Sequence, residues 1–356
     1  MMKKLIFCFD GTCNNPEDVG DIDDDASISN ILKLHIFLGG KLTPANGCNA
    51  LTPAQHSFYY SGIGNRGNWL IRAINAVVAP VYGEMDDILS EAHADLSQHY
   101  SSGDEVYIFG FSRGAAIARM FAAHLAMPVK FIGVFDTVAA IRGSLDLDPN
   151  TFPASGIVFE NDILAPHIAN ALHILALDER RLWLQPTLFN QDERVKEVWF
   201  AGSHSDIGGG YWFDGLADIC LQFMLDNIAK QLTVLSVEQL DYSALKIPGS
   251  SDEITFDDIV IKPLVSGKIH RQLFTYSHAF THAIRSVRVN VNEVASSNLA
   301  IIHCSVAQRY QQLLDYRPYA LYRINYQLLD EQGSLTEQCF GVSALAEHYS
   351  QADGIK

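Results

Sequence analysis

The segment 106–116 combines residue types that can perform nucleophilic catalysis. An apolar run typical of a β-strand leads into Gly-x-Ser-x-Gly, and an Ala-rich run typical of a helix follows. This order predicts a nucleophile elbow, a sharp strand-to-helix turn that exposes a serine hydroxyl. Gly110 and Gly114 lack a Cβ atom, so the strand and the helix can approach each other closely. Ser112 is therefore the predicted nucleophile, and a plain structural turn is the alternative.

A serine hydroxyl needs a general base, and that base needs a carboxylate to orient it. The apolar run 198–201 ends at Gly202-Ser203-His204, and three glycines that would let a loop fold around an imidazole follow at 208–210. Asp136 follows another apolar run, and the chain order Ser112, Asp136, His204 is that of an α/β-hydrolase triad. Asp206 is the alternative carboxylate. His204 and Asp136 also have structural alternatives, as a core or capping histidine and as a turn cap.

Backbone amides are the expected donors to a developing oxyanion. The amide of Arg113 directly follows the predicted nucleophile, and Gly11 and Thr12 lie in the loop after the first predicted strand. Asp10 is predicted to brace that loop through hydrogen bonds to its own amides. The alternative is an Asp-Gly turn without a catalytic role.

The same loop raises two other chemistries. Haloacid-dehalogenase-type phosphatases open with an apolar strand and Asp-x-Asp-Gly-Thr, but Cys8 stands where their nucleophilic aspartate would be. The acidic loop 17–25 lacks the spaced oxygen ligands and the glycine of an EF-hand, so a solvated loop is favoured over a Ca²⁺ site. We expect neither a metal nor another cofactor.

The charge balance disfavours several classes of partner. The net charge is −16, from 25 basic and 41 acidic residues. Nucleic acids and anionic membranes both attract basic surfaces, so neither is an expected electrostatic partner.

The first residues resemble a signal peptide only briefly, because Asp10 interrupts a short apolar run, and no run is long enough to span a membrane. The six cysteines form no CxxC pair, which favours reduced thiols and synthesis in the cytoplasm.

Strand-like and helix-like segments alternate, which predicts a three-layer α/β fold with a mainly parallel sheet, helices on both faces and insertions that form a lid. Predicted strands cover residues 5–9, 58–60, 106–110, 130–135 and 198–201. Predicted helices cover residues 28–38, 84–100, 115–126, 167–181, 216–230 and 299–314.

The predicted domain organisation is a single domain without a marked linker. Residues 1–232 form the predicted catalytic core, with an insertion over 139–194. Residues 233–356 are predicted to form a lid or edge excursion, chiefly 236–268, and C-terminal elements on the same domain. The tail from Tyr319 is predicted to add an antiparallel hairpin.

Several sequence blocks resemble an uncharacterised α/β-hydrolase-domain family that includes phospholipase effectors of bacterial type VI secretion systems. Gly-Phe-Ser-Arg-Gly-Ala at 110–115 and His-Ser-Asp-x-Gly-Gly-Gly-Tyr at 204–211 are together highly specific. The other matching blocks are Phe-Asp-Gly-Thr-x-Asn-Asn at 9–15, Tyr-x-Gly-Ile-Gly at 60–64, Gly-Val-Phe-Asp-Thr-Val at 133–138, Ala-Leu-Asp-Glu-Arg-Arg at 176–181, His-Cys-Ser-Val at 303–306 and Tyr-Arg-Pro at 316–318. Cys304 stands where a proline is commoner.

The resemblance implies a serine hydrolase whose triad is Ser112, Asp136 and His204. It also implies an ester or phospholipid substrate, export by a dedicated secretion system, and a secretion-system or immunity protein as a partner. Two alternatives stay open: a soluble esterase acting on small or polymer-borne acyl groups, and a catalytically silent binding scaffold.

Overall fold

The structure, a computed structural model, describes residues 2–11, 25–42, 49–52, 54–62, 82–139, 164–247, 253–270, 282–292 and 294–347. Thr12 and residues 17–24 of the acidic loop, for which predictions were made, lie outside these ranges. Within the described residues, no helix has the length and apolar character needed to cross a membrane.

A ten-stranded sheet forms the centre of the molecule, with strand order β12-β11-β10-β7-β6-β5-β4-β1-β3-β2. Its strands are β1 Lys4–Phe9, β2 Asn49–Thr52, β3 Gln55–Tyr60, β4 Glu105–Phe111, β5 Val129–Phe135, β6 Ala171–Ala176, β7 Val195–Phe200, β10 Ala300–His303, β11 Asn325–Leu329 and β12 Cys339–Phe340. The two edge strands run antiparallel to their neighbours, and all inner pairs are parallel. A separate hairpin joins β8 Asn290–Val291 to β9 Val294–Ala295.

Helices cover both faces of this sheet. Successive side chains of a strand point to opposite faces, so the apolar side chains on each face need a layer that buries them. In β1, Ile6 and Cys8 belong to one hydrophobic cluster, whereas Leu5, Phe7 and Phe9 belong to another. The first cluster contains α1 Asn30–Phe37 and α5 Gly215–Ile228, and the second contains α2 Tyr82–His99 and α3 Ser112–His124. The remaining α-helices are α4 His204–Gly208, α6 Phe256–Ile259 and α7 Cys304–Gln312. The predicted three-layer arrangement is confirmed.

The strand order reverses between β1 and β4. From β1 the chain passes to β3 on one side, then returns to β4 on the other side. Open parallel sheets bind ligands at such a reversal, outside the carboxyl ends of the strands. Asp10 and Ser112 are the residues that follow these two strands.

Two helix predictions were wrong in part. Strand β6 occupies the centre of the segment 167–181, within the range predicted as an insertion. All six of its residues are buried between β5 and β7, and a strand buried on both faces has no alternation to distinguish it from a buried helix. Similarly, the segment 299–314 begins with strand β10, and only its second part is helix α7.

The described part of the predicted lid packs along α1 and α5. Its Leu245, Ile254 and Ile259 are buried in the same cluster as those helices. The N–H of Leu42 donates to Ala244 O, and the N–H of Leu264 donates to Gly215 O. Apolar side chains of the described part of this segment thus belong to the core beside two helices, and its role as a lid or edge excursion stays a prediction.

The C-terminal residues extend the same sheet. Strand β11 pairs in parallel with β10, and β12 pairs antiparallel with β11. The predicted antiparallel pair is therefore present in the tail. The division of the chain near residue 232 stays a prediction.

Candidate active site

Ser112 lies on a strained turn between β4 and α3. Its φ of 56° is in the left-handed region, which costs energy for a residue with a Cβ atom. The two glycines around it permit the close packing that this turn requires. A Cβ atom on Gly114 would lie 2.1 Å from Asp10 O, and one on Gly110 would lie 2.7 Å from Ala115 Cα. These contacts have the geometry of the predicted elbow.

The three side chains predicted to form a triad are joined by hydrogen bonds. The distance between Ser112 Oγ and His204 Nε2 is 2.8 Å, and the distance between His204 Nδ1 and Asp136 Oδ2 is 2.6 Å. All three residues are buried, with exposed fractions of 6% for Ser112, 6% for His204 and 0% for Asp136. They follow strands β4, β7 and β5, whose carboxyl ends meet at the same edge of the sheet.

Asp136 is held by donors on both carboxylate oxygens. Its Oδ1 accepts from Ala176 N at 3.0 Å and from Arg285 Nη1 at 3.1 Å, and its Oδ2 accepts from Arg285 Nη2 at 2.8 Å. Burial alone would raise the pKa of Asp136, but the charge of Arg285 and the bond from His204 hold that pKa below its ordinary value. Asp136 is therefore ionised at neutral pH. Sequence reasoning missed Arg285, because no local pattern links two residues 149 positions apart.

The alternative carboxylate, Asp206, binds other groups. Its Oδ2 accepts from Ser203 N at 2.8 Å and from Ser203 Oγ at 2.9 Å, which forms a capping box at the start of α4. Its Oδ1 lies 2.5 Å from His270 Nδ1, and the other ring nitrogen of His270 lies 3.0 Å from Asp25 Oδ2. The geometry thus joins Asp136, and not Asp206, to His204.

The backbone of His204 is anchored by a second buried carboxylate. Its N–H donates to Glu179 Oε2 at 3.1 Å, while Arg181 Nη2 donates to the same oxygen at 2.8 Å. Burial alone would raise the pKa of Glu179, but the hydrogen bonds and charge of Arg181 hold that pKa well below its ordinary value. The ring of Phe111 lies 4.7 Å from the His204 ring, centroid to centroid, and limits its rotation.

The predicted oxyanion donors are arranged differently from one another. Arg113 is the second residue of α3, and the amides of a first helical turn point away from the helix body. The N–H of Gly11, by contrast, donates to Asp10 Oδ1 at 2.6 Å. Asp10 thus accepts a hydrogen bond from an amide of the loop that it was predicted to brace, and the role of Gly11 as an oxyanion donor stays a prediction. The other Asp10 oxygen accepts from Ser29 Oγ at 2.6 Å and from Tyr59 OH at 2.7 Å.

The arrangement is suited to proton transfer from a serine hydroxyl. A neutral imidazole with a hydrogen-bonded Oγ on one nitrogen and a carboxylate on the other can accept the hydroxyl proton as Oγ attacks a carbon. In the described part of the chain, no three His, Cys, Asp or Glu side chains are grouped so that they could hold a metal ion.

The sequence matches one protein-family model in two overlapping stretches, residues 3–127 and 122–227. That model describes the catalytic domain of Tle1-like phospholipase effectors of type VI secretion systems. The chain belongs to this family. Its central sheet and flanking helices have the α/β-hydrolase fold that the sequence predicted.

Individual relatives are more distant. An uncharacterized protein of Saccharomyces cerevisiae is 30% identical over 132 residues, which are 34% of this chain and 17% of that protein. A solved structure of an uncharacterized protein from Pseudomonas aeruginosa is 17% identical with a TM-score of 0.44, covering 74% of this chain and 49% of its own. A Tle1 effector bound to the VgrG spike of a type VI secretion system is 24% identical with a TM-score of 0.36, covering 59% and 51%. The chain thus spans about half of the length of these two solved chains.

Proposed function

We propose that the protein is a serine hydrolase that cleaves the carboxylic esters of phospholipids. Ser112 Oγ attacks the acyl carbonyl carbon while His204 Nε2 takes its proton, and the carbonyl electron pair moves onto oxygen. The N–H of Arg113 donates to this oxyanion. When the tetrahedral intermediate collapses, the protonated His204 gives its proton to the leaving alcohol, and an acyl-enzyme remains.

Water then completes the reaction through the same groups. His204 removes a proton from water, the resulting oxygen attacks the acyl carbon, and the proton returns to Ser112 Oγ as the fatty acid leaves. Asp136 stays ionised throughout, keeps the Nδ1 proton in place and stabilises the imidazolium in both halves of the reaction.

One observation carries the proposal: the unbroken hydrogen-bonded chain from Ser112 Oγ through His204 to Asp136, over 2.8 and 2.6 Å. The left-handed backbone of Ser112 adds support, because strain at a strand-to-helix turn is typical of functional positions. Family membership supports the choice of a phospholipid ester over other acyl groups.

The nucleophile is tested by labelling with a fluorophosphonate, which reacts with activated serines. We expect wild type to be labelled on Ser112, and Ser112→Ala to lose both labelling and ester turnover, the latter by about 10⁴-fold or more. Ser102→Ala, at an exposed serine on the turn that precedes β4, is the matched control and should keep both. Full turnover by Ser112→Ala would contradict the proposal.

The substrate class is tested by comparing phospholipid vesicles with a short-chain soluble ester. A phospholipase should release fatty acid from vesicles faster than it hydrolyses the short ester. Because the net charge is −16, binding to anionic vesicles should improve with added salt, as the repulsion is screened over about 8 Å at physiological ionic strength. Turnover of the short ester alone, at every salt concentration, would leave a soluble esterase as the function.

We also propose that the protein is exported by a type VI secretion system and docks on a VgrG-type spike. Membership of the effector family supports this role. In the organism that encodes the protein, a tagged copy should appear in the culture medium, and deletion of the spike gene should abolish its release. Equal release without the spike would contradict the export proposal and leave the hydrolase proposal intact.

A further inference from the structure

Arg285 is a buried cation attached to the candidate triad. Its side chain has an exposed fraction of 0%, as does that of Asp136. Two of its N–H groups reach the two oxygens of one carboxylate, with Nη1–Oδ1 at 3.1 Å and Nη2–Oδ2 at 2.8 Å. This bidentate contact fixes both the position and the plane of the carboxylate.

The contact also provides the countercharge that a buried carboxylate needs. A carboxylate buried without a countercharge is costly, and the pair Asp136–His204 can relieve that cost by taking up one proton. A pair that holds this extra proton cannot act as a base, because His204 Nε2 then already carries a hydrogen. With Arg285 present, the charge of the Asp136 carboxylate is balanced by a guanidinium cation, so the pair need not take up that proton.

We propose that Arg285 is a positioning residue that keeps Asp136 ionised while His204 stays neutral, so that His204 can accept the proton of Ser112. This inference rests on the proposed serine hydrolase mechanism. It assigns to Arg285 a role in setting the pH range of the reaction, in addition to holding Asp136 in place.

The other charged groups around this site have their own partners. Glu179 is bound by Arg181, although the charge of Arg285 also helps to lower its pKa, and His173 Nδ1 lies 2.8 Å from Glu197 Oε1 on the neighbouring strand. Arg119 donates to Thr187 O, and Asp206, His270, Asp25 and Lys268 bind one another. In the part of the chain that the structure describes, the cation that hydrogen-bonds Asp136 is therefore Arg285.

The test is the pH dependence of kcat/KM, and of fluorophosphonate labelling of Ser112, in Arg285→Met. The unpaired Asp136 should hold the extra proton up to a higher pH, so the acid limb of both profiles should move upward by about 1–3 pH units. Arg285→Lys keeps a cation but loses the bidentate contact, so the acid limb of its pH profiles should stay near that of wild type while kcat falls. The exposed Arg317→Met is the control and should leave both profiles unchanged.

A folded Arg285→Met protein with the acid limb of wild type would overturn the proposal. If Ser112→Ala is inactive in the same assays, that failure concerns Arg285 alone; if Ser112→Ala is active, the hydrolase mechanism has failed as well.

Should Arg285→Met not fold, thermal unfolding of the double variant Asp136→Asn/Arg285→Met provides the decision. Each single variant leaves one buried charge without its partner, whereas the double variant removes both. We therefore expect the double variant to show the cooperative unfolding transition that Arg285→Met lacks. A double variant that also fails to fold would mean that Arg285 does not act through Asp136, and would overturn the proposal.

Discussion

The N–H of His204 donates to Glu179 Oε2 over 3.1 Å, so a carboxylate at the end of one strand fixes the residue that begins α4. Glu179 follows β6, and His204 follows the adjacent strand β7. Arg181 binds both oxygens of the same carboxylate, through Nε to Oε1 at 2.9 Å and through Nη2 to Oε2 at 2.8 Å. The position of the imidazole therefore depends on a buried ion pair that does not touch the imidazole itself.

Replacing Glu179 by Gln should lower stability at pH 7 by about 3 kcal/mol, because Arg181 would lose its countercharge in a largely buried position. The folded-state pKa of Glu179 lies below the ordinary value of about 4.3, so its contribution is complete above that pH and is lost as the pH falls. The difference between wild type and Glu179→Gln in urea unfolding should thus shrink at pH 3. The exposed Glu193→Gln should match wild type at both pH values.

Gly114→Ala should destabilise the protein by about 3 kcal/mol or more and abolish activity. The added methyl group would lie 2.1 Å from Asp10 O and 2.4 Å from Phe9 O, and both of these are backbone atoms that cannot move aside alone. Gly103→Ala is the matched control. Gly103 has a φ of 96° but no atom within 4 Å of the added methyl, so only backbone strain of about 1 kcal/mol is expected. Equal melting temperatures for the two variants would show that the elbow tolerates a side chain.

The variants Asp136→Asn and Asp206→Asn should show which of the two carboxylates orients His204. Asp136→Asn should lower kcat by about 10³–10⁴-fold, because an amide can donate to Nδ1 and so favour the wrong tautomer. Asp206→Asn should keep kcat within about tenfold and instead lower stability by about 1–3 kcal/mol, through the weakened capping box and the contact with His270. Steady-state kinetics and thermal unfolding distinguish these outcomes, and the reverse pattern would move the orienting role to Asp206.

His35→Gln should make the protein less sensitive to mild acid. His35 is fully buried in α1, with Nδ1 2.8 Å from Ser57 Oγ, and burial lowers its pKa to about 4. Between about pH 6.5 and 4, His35 binds a proton in the unfolded chain but not in the folded protein. Wild type therefore loses stability as the pH falls through this window, by at most about 1.4 kcal/mol per pH unit. Urea unfolding should show a smaller loss for His35→Gln, and an unchanged loss for the exposed His124→Gln.

The sequence predicted most of the elements that carry the site, because their patterns are local. Strand β4, its Gly-x-Ser-x-Gly turn and the Ala-rich helix α3 are contiguous, and each signals its own conformation. Asp136 and His204 were recognisable for a related reason: each follows an apolar run, and parallel strands bring their carboxyl ends to one edge. Their catalytic roles stay predictions.

Other features depend on contacts that no local pattern reveals. Strand β6 contains alanine and leucine, which are good helix formers, and only its burial between two strands selects the extended form. Arg285 and Glu179 act through partners far away in the sequence, at 149 and 25 positions. Likewise, the Gly11 amide donates to one oxygen of the Asp10 carboxylate, and the hydroxyls of Ser29 and Tyr59 donate to the other oxygen.

The match to the family model ends at residue 227, but the sheet continues through β10 and β11. In that continuation Val198 and Trp199 of β7 pair with Ile301 and Ile302, and Trp199 is only 1% exposed. A chain cut after residue 232 would present β7 as a bare strand edge with an uncovered tryptophan, which is a template for pairing with other chains. The last third of the sequence therefore covers the edge of β7, and a chain ending at residue 232 should aggregate when it is expressed alone.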